Sequence, residues 1–425
     1  MPASSSSASP LAASSDSEIR HPQWVLFAVC ALALMSTAGV AMPYPILAPI
    51  FVGGPVDDFT HWLGLPPELL MGIALAANPL GILIGSLFVG PLSDRYGRRR
   101  VLTVTLSATL LGYLLTAWGL AERWYPLFLA ARFVTGLTEG NVAVARALLA
   151  DLHPRIDRGK GFAWLNACLY GGWLLGPLIG GLTVGWGEPV PFLLAALAML
   201  PCLAILGWAV PGSPLQPGQG LWAAMRERQS LGLLRQDAVL RRLFWLQLCY
   251  GLGCNALYEF APLWLLQNMG LDGRGIAFVT ACQCLAMTLA SVIAGRVAGQ
   301  ARQPLHRASL MALVAALGLT ALALLPGRAG MLVIVALGVP LAIYNTLLPA
   351  WMSERFAAHG QGRVMGLLST IFCLANVAIA IAGGLLALLD TRWIMGLGGA
   401  TALGAALQLL RLSRSERRAP VQDTM

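Results

Sequence analysis

Three ionisable residues interrupt the apolar run between positions 125 and 150: Arg132, Glu139 and Arg146. They recur every seven residues, which on a single helix places all three on one face. At 1.5 Å of rise per residue, Glu139 would stand roughly 21 Å from the start of the run, near the middle of a bilayer. An ionisable group at that depth is costly and marks a functional position by default. Neighbours seven apart are separated by about 10.5 Å along the axis, so partners for Glu139 must come from other helices or from water. The competing use of the same residues is a locked structural ion pair. Glu259 is a second acid of this kind, roughly 24 Å along the run that starts at Leu243 and close to the helix-breaking Pro262. A carboxyl buried there could load and release a proton near neutral pH, whereas a solvated position near the mouth of the protein would leave it inert.

Such residues need helices that cross a membrane, and the composition supplies them. The chain has 425 residues, of which 57% are hydrophobic and 11% charged, against about 25% charged in a typical soluble domain. Repeated apolar runs of 18 or more residues predict an all-α membrane protein with twelve transmembrane helices. Twenty-two of the 28 Lys and Arg residues fall in segments on one side of such a chain. The opposite loops hold only Arg123, Arg274, Arg328 and Arg392. Basic residues stay on the side from which a protein is inserted, so both termini are expected in the cytoplasm. The net charge of +9 therefore reports topology and contact with the inner leaflet rather than nucleic acid. The eight cysteines form no CxxC pair and are expected as reduced, buried thiols; Cys282 and Cys284 should point to different faces of one helix.

The expected organisation is an unstructured N-terminal tail over 1–22, a six-helix bundle over 23–210 and a central cytoplasmic loop over 211–242. A second six-helix bundle spans 243–412, followed by a C-terminal tail over 413–425. In the central loop, Trp222, Met225 and Leu233 could lie on the membrane surface with Arg226, Arg228 and Arg235 outward. The two halves echo one another. Tyr44-Pro-Ile-Leu-Ala-Pro49 closes the first span and Tyr258-Glu-Phe-Ala-Pro262 the seventh. Arg158-Gly-Lys-Gly161 before the fifth has a counterpart in Gly362-Arg-Val-Met-Gly366 before the eleventh.

Between the second and third spans lies Gly90-Pro-Leu-Ser-Asp-Arg-Tyr-Gly-Arg-Arg-Arg100. Gly90 and Gly97 are expected to relieve a tight turn, and the arginines hold it at the inner surface. The pattern Gly90-x-x-x-Asp94-Arg95-x-Gly97-Arg98-Arg99 resembles the loop between helices 2 and 3 of the major facilitator superfamily of transporters. That resemblance covers about residues 23–412 and implies two pseudo-symmetric six-helix bundles that rock around a central substrate cavity. It links Asp94 to a conformational latch on the inner face, for which Arg146 or the N-terminal end of the eleventh span is the expected partner. The pairing of Arg132 with Gly136 resembles the superfamily's span-4 signature, which the resemblance links to proton coupling; Glu139 and Glu259 are the expected proton carriers and Arg132 the group that tunes them. The fifth span carries Gly172-x-x-x-Gly176-Pro177-x-x-Gly180-Gly181, a pattern that close helix packing would also produce. It resembles the signature of the superfamily's drug–proton antiporters, which implies export. One departure stands out: tetracycline-type exporters carry an acid in span 1, and this chain has none between Trp24 and Ile50.

Candidate residues for the cavity wall are Tyr44, Asn141, Asn166, Tyr170, Tyr258, Asn345 and Asn376, since amides and aromatics in an apolar pocket suit amphipathic organic solutes. No phosphate-binding Gly-rich loop, metal-ligand spacing or nucleophile elbow occurs, so neither an enzyme nor a cofactor or metal is expected, and the proton gradient would supply the energy. The expected activity is export of a small amphipathic molecule in exchange for protons across the cell membrane by a monomer. A proton-coupled symporter or facilitator for a metabolite is the alternative, and a transport-inactive receptor on the same fold the second.

Overall fold

The computed structural model describes residues 22–151, 155–156, 158–210, 232–298, 303–325, 327–356 and 361–418. The expected tail over 1–21 and most of the central loop, with Trp222, Met225, Arg226 and Arg228, lie outside the described residues. Fourteen helices form the described spans. In the first half they are α1 (Pro22–Ala41), α2 (Tyr44–Phe51), α3 (Pro67–Tyr96), α4 (Arg98–Ala121), α5 (Tyr125–Glu139), α6 (Val142–Asp151), α7 (Arg158–Thr183) and α8 (Val190–Ala209). In the second half they are α9 (Ala238–Met269), α10 (Gly273–Ala298), α11 (Pro304–Leu324), α12 (Gly327–Arg355), α13 (Gln361–Leu386) and α14 (Thr391–Arg418). Taking α1 with α2 and α5 with α6 as single spans gives twelve crossings.

Ten of these crossings are long and apolar enough to traverse a membrane on composition alone. The other two are α5–α6 and α9, the spans that carry Arg132, Glu139 and Glu259. Their polarity is the price of the buried charge, and packing inside the protein rather than contact with lipid must hold them in place.

Several boundaries depart from the expectations. Span 1 is broken at Met42–Pro43, where Pro43 precedes α2 and cannot donate to the preceding turn. Span 4 is also broken, at Gly140–Asn141, so Arg132, Glu139 and Arg146 do not share one continuous helical register. Gly90 is buried within α3 rather than in a turn, and α3 runs on to Tyr96. The turn is made by Gly97 alone, at φ 87° and ψ 141°, a conformation that only glycine adopts without strain. The seventh span does not end at Pro262 but continues to Met269, where Gly270 in the left-handed region caps it. Its start lies inside the expected loop: Asp237 accepts from the backbone N–H groups of Val239 and Leu240 and so caps α9. Leu233 is fully buried in the protein rather than spread on a membrane surface, while Arg235 is exposed. The last helix extends through Arg418, past the expected start of the tail.

Within each half the helices approach through small residues. A Cβ on Gly136 would stand 2.1 Å from the Asn78 carbonyl oxygen, and one on Gly85 would stand 2.1 Å from that of Leu137. These glycines bring α3 and α5 into backbone contact, which explains Gly136 four residues after Arg132. Gly172, Gly176 and Gly180 do the same for α7 against α1, facing the carbonyls of Leu34, Ala38 and Met42 in turn. Close packing thus accounts for these three glycines of the span-5 pattern.

The halves meet through α3 against α13 and α7 against α10. Near the arginine-poor end these contacts are tight: a Cβ on Gly72 would meet the Ala380 carbonyl at 2.3 Å, and one on Gly181 the Ala277 methyl at 1.9 Å. With α2 packed on α9 and α10, they close the interface at that end.

Candidate functional site

Glu139 ends α5, one residue before the break in span 4, and is 3% exposed. Its Oε1 accepts a 2.5 Å hydrogen bond from the Tyr113 hydroxyl of α4, and its Oε2 accepts one of 2.8 Å from the Asn78 amide of α3. The partners come from neighbouring helices, as the spacing along span 4 requires. Arg132 is buried in the same region and interacts electrostatically with Glu139, Tyr113 and Tyr44. Its Nε and Nη1 have no hydrogen-bond partner among the described residues. The first half therefore encloses a compact network of Asn78, Tyr113, Arg132 and Glu139, each at most 3% exposed. Gly39 of α1 leaves room for it, since a Cβ there would overlap the Tyr113 ring.

Glu259 is different. It is 2% exposed, so it is no solvated residue at a mouth. Neither carboxyl oxygen has a hydrogen-bond partner among the described residues. Tyr44 lies within electrostatic range of both Glu259 and Arg132, and its hydroxyl donates to Asn376 Oδ1 at 3.2 Å. It bonds the first half to the second and stands where span 1 breaks.

Beside Tyr44 lies a cavity of about 120 Å³. Tyr44, Trp173 and Pro177 contribute from the first half; Tyr258, Gln283, Met287, Asn345 and Phe372 contribute from the second. The ring of Trp173 is central: it stacks on Tyr44 at 6.0 Å and packs against Tyr258 at 6.0 Å and Phe372 at 5.9 Å. Four aromatic rings thus cross the interface between the bundles.

Of the cavity candidates, Tyr44, Tyr258 and Asn345 line this space. Asn376 stands behind Tyr44 as its hydrogen-bond partner. Asn141 is buried at the break in span 4 and is not part of the described lining. The side chains of Asn166 and Tyr170 lie outside the described residues. Sequence reasoning missed Trp173, Gln283 and Phe372, as well as Asn78 and Tyr113. Asn78 left a signal, being an amide before Pro79 in the middle of an apolar run. Trp173 sat inside the glycine pattern of span 5.

Pro177 of that pattern faces the cavity, whereas Gly181 faces α10 of the other half. Asp94 is exposed near the C-terminal end of α3, Arg95 is exposed beside it, and Arg98 opens α4. Arg146 is half-buried on α6. The eight cysteines are free thiols, with Cys284 buried and Cys282 half-buried. Among the described residues no group of His, Cys, Asp and Glu could hold a metal ion.

A bundle of twelve crossings in two halves around an inter-half cavity, with buried acids beside it, is the construction of a secondary transporter. The sequence profile of the Major Facilitator Superfamily matches residues 24–379, and the chain belongs to that family. It is a multi-pass membrane transporter. It is 36% identical over 181 residues to the class B tetracycline resistance protein of Escherichia coli, covering 42% of each chain. It is 32% identical over 203 residues to the bovine (Bos taurus) major facilitator superfamily domain-containing protein 10, covering 44% of this chain and 42% of that one. These matches span about two fifths of the relatives' length. Its fold resembles that of a D-xylose–proton symporter, with a TM-score of 0.70 at 18% identity over 91% of this chain and 96% of that one. The human organic anion transporter MFSD10 (TETRAN) gives 0.64 at 20% identity, over 92% and 99%.

Proposed function

We propose that this transporter exports a small organic solute from the cytoplasm in exchange for protons, working by alternating access in the cell membrane. The observation that carries this reading is the pair of buried acids, one in each half. Glu139 is held by two donors, whereas Glu259 has none on either oxygen among the described residues. An ion buried without compensation is strongly disfavoured, so binding or losing one proton at Glu259 changes the energy of its surroundings more than almost any other single event. Arg132 would set the balance between the two acids, and Tyr44 would pass the change to the cavity wall.

The arginine-rich loops put both termini in the cytoplasm. The closed, arginine-poor end then faces outward, and solute would be loaded from the inside. Asp94, Arg95 and Arg98, with Arg146, would serve as the inner latch. Direction is supported by the span-5 pattern and by the tetracycline resistance relatives, although the missing acid in span 1 argues against tetracycline itself.

A sugar symporter remains the second reading: the wall has a largely apolar and aromatic surface but also carries Thr280, Gln283, Thr288, Ser291 and Asn345.

The test is proton movement in everted vesicles. Addition of a substrate should release protons for the wild type, and Glu259→Gln and Glu139→Gln should abolish coupled movement while leaving downhill solute exchange. Unchanged coupling in both variants removes these assignments. Absence of substrate-dependent proton flux under every condition favours a receptor role, and concentrative uptake favours a symporter.

A further inference from the structure

We infer that the cavity is built for an uncharged, flat aromatic solute bearing a carbonyl-type acceptor, and that the Gln283 side-chain amide is the group that selects it. This rests on the transporter reading above but concerns which ligand the site accepts.

Three observations carry it. Gln283 lines the cavity, is 4% exposed, and its Nε2 has no hydrogen-bond partner among the described residues. A buried donor left unmade is costly, and one that lines a cavity finds its natural partner in the ligand. The backbone that carries it is closely packed: a Cβ on Gly338 of α12 would stand 2.6 Å from the Gln283 main-chain carbonyl oxygen.

The second observation is the aromatic wall. Tyr44, Trp173, Tyr258 and Phe372 form one run of rings across the interface. Trp173 touches the other three, so it offers the largest face for a flat ring in offset stacking.

The third is charge. No described residue lining the cavity is Asp, Glu, Lys or Arg. Glu259 neighbours the lining residue Tyr258 in the chain, but it is buried and is not part of the described wall. A cationic or anionic solute would lose its hydration without meeting a counter-ion, which is heavily disfavoured in an apolar space. A neutral acceptor pays far less and satisfies Gln283.

The test uses two dyes of almost the same shape, N-methylacridone and the N-methylacridinium cation. The first is neutral with one carbonyl acceptor; the second is charged and has none. Binding to the purified full-length protein in lipid nanodiscs is followed by fluorescence anisotropy, with empty nanodiscs subtracted. N-methylacridone should bind the wild type at least tenfold more tightly than the cation. Gln283→Leu, which keeps the bulk but removes the donor, should weaken N-methylacridone at least tenfold, while Gln283→Glu at pH 8 should turn the preference toward the cation. Equal or tighter binding of the cation to the wild type overturns the inference, as does unchanged N-methylacridone binding in a Gln283→Leu variant that melts like the wild type. These outcomes are separable from the fate of the antiport reading. Selective dye binding without proton release on adding N-methylacridone to vesicles leaves the site standing and removes the antiport. Proton release with other solutes, in a protein that ignores N-methylacridone, does the reverse.

Discussion

The Tyr44 hydroxyl donates to Asn376 across 332 positions of the chain, and this 3.2 Å hydrogen bond links the break in span 1 to α13. It joins the two halves directly beside the cavity, so it must break or lengthen if they rock apart there. Tyr44→Phe and Asn376→Ala should each alter the balance between the two end states, and the double variant should behave like either single one. A double-mutant cycle on solute binding should give a coupling of about 0.5–1.5 kcal/mol, the usual worth of a neutral hydrogen bond. Additive effects would mean that the bond does not link the halves.

The Glu139 network makes a stability prediction. Tyr113→Phe keeps the ring but removes the donor to Oε1. Hydrogen bonds to charged groups contribute roughly 1.5–3 kcal/mol, so the variant should melt at a distinctly lower temperature in detergent. If Glu139→Gln is introduced first, the loss from Tyr113→Phe should shrink. The same loss in both backgrounds would show that the hydroxyl stabilises something other than the carboxyl.

Glycines 171 and 176 provide a paired test of packing. A Cβ on Gly176 would stand 2.4 Å from the Ala38 carbonyl, whereas one on Gly171 would meet only the end of Leu34 at 3.7 Å. Gly176→Ala must push α7 from α1 and should cost about 1–3 kcal/mol. Gly171→Ala should be neutral or slightly stabilising in a helix. Equal melting temperatures for the two variants would contradict the packing account of the span-5 pattern.

At the arginine-poor end, Arg123 bridges Asp57 and Glu188, both at 2.7 Å, and rests on the Phe59 ring at 4.8 Å. It ties together three loops of the first half. Partial burial works against the charged form of Asp57, but the hydrogen bonds from Arg123 and Thr60 outweigh it and hold the carboxyl below its ordinary value. A depressed carboxyl stabilises the fold above the unfolded value of about 3.9, and that contribution fades as the pH falls through the folded value. Thermal melts of the wild type and Arg123→Gln should therefore differ at pH 6, and the gap should narrow progressively as the pH falls below about 4. A gap that stays constant down to about pH 2 would place the role of Arg123 in its contact with Phe59 instead.

Asp94 offers the functional counterpart at the other end. Asp94→Asn removes the charge from an exposed position at the end of α3 and should abolish transport without reducing the amount of protein in the membrane. Normal transport rates in vesicles would reduce the stretch from Gly90 to Arg100 to a topological anchor.

Much of the architecture was legible because a bilayer leaves so few solutions. Every backbone group must be satisfied within the crossing segment, so long apolar runs can only be helices, and most arginines fall between spans or at their ends. The acids at 139 and 259 stood out for the same reason. What remained hidden was everything set by the angle and register of one helix on another. The glycines at 136, 176 and 181 announced close approach, yet nothing along the chain said that the first two meet Asn78 and Ala38 of their own half, or that Gly181 meets Ala277 of the other. The breaks at Pro43 and Gly140 were equally unreadable as breaks, because a proline or glycine in a span bends, caps or merely packs according to its neighbours. By itself the sequence determined that the chain is built of membrane-crossing helices and which charges would be buried among them, both consequences of solvation. Only the tertiary structure decided that Glu139 has two donors while Glu259 has none among the described residues, that Tyr44 bonds to Asn376 of the other half, and that Gln283 Nε2 borders the cavity without a partner among those residues. Those are distances between helices far apart in the chain, and side-chain packing alone sets them.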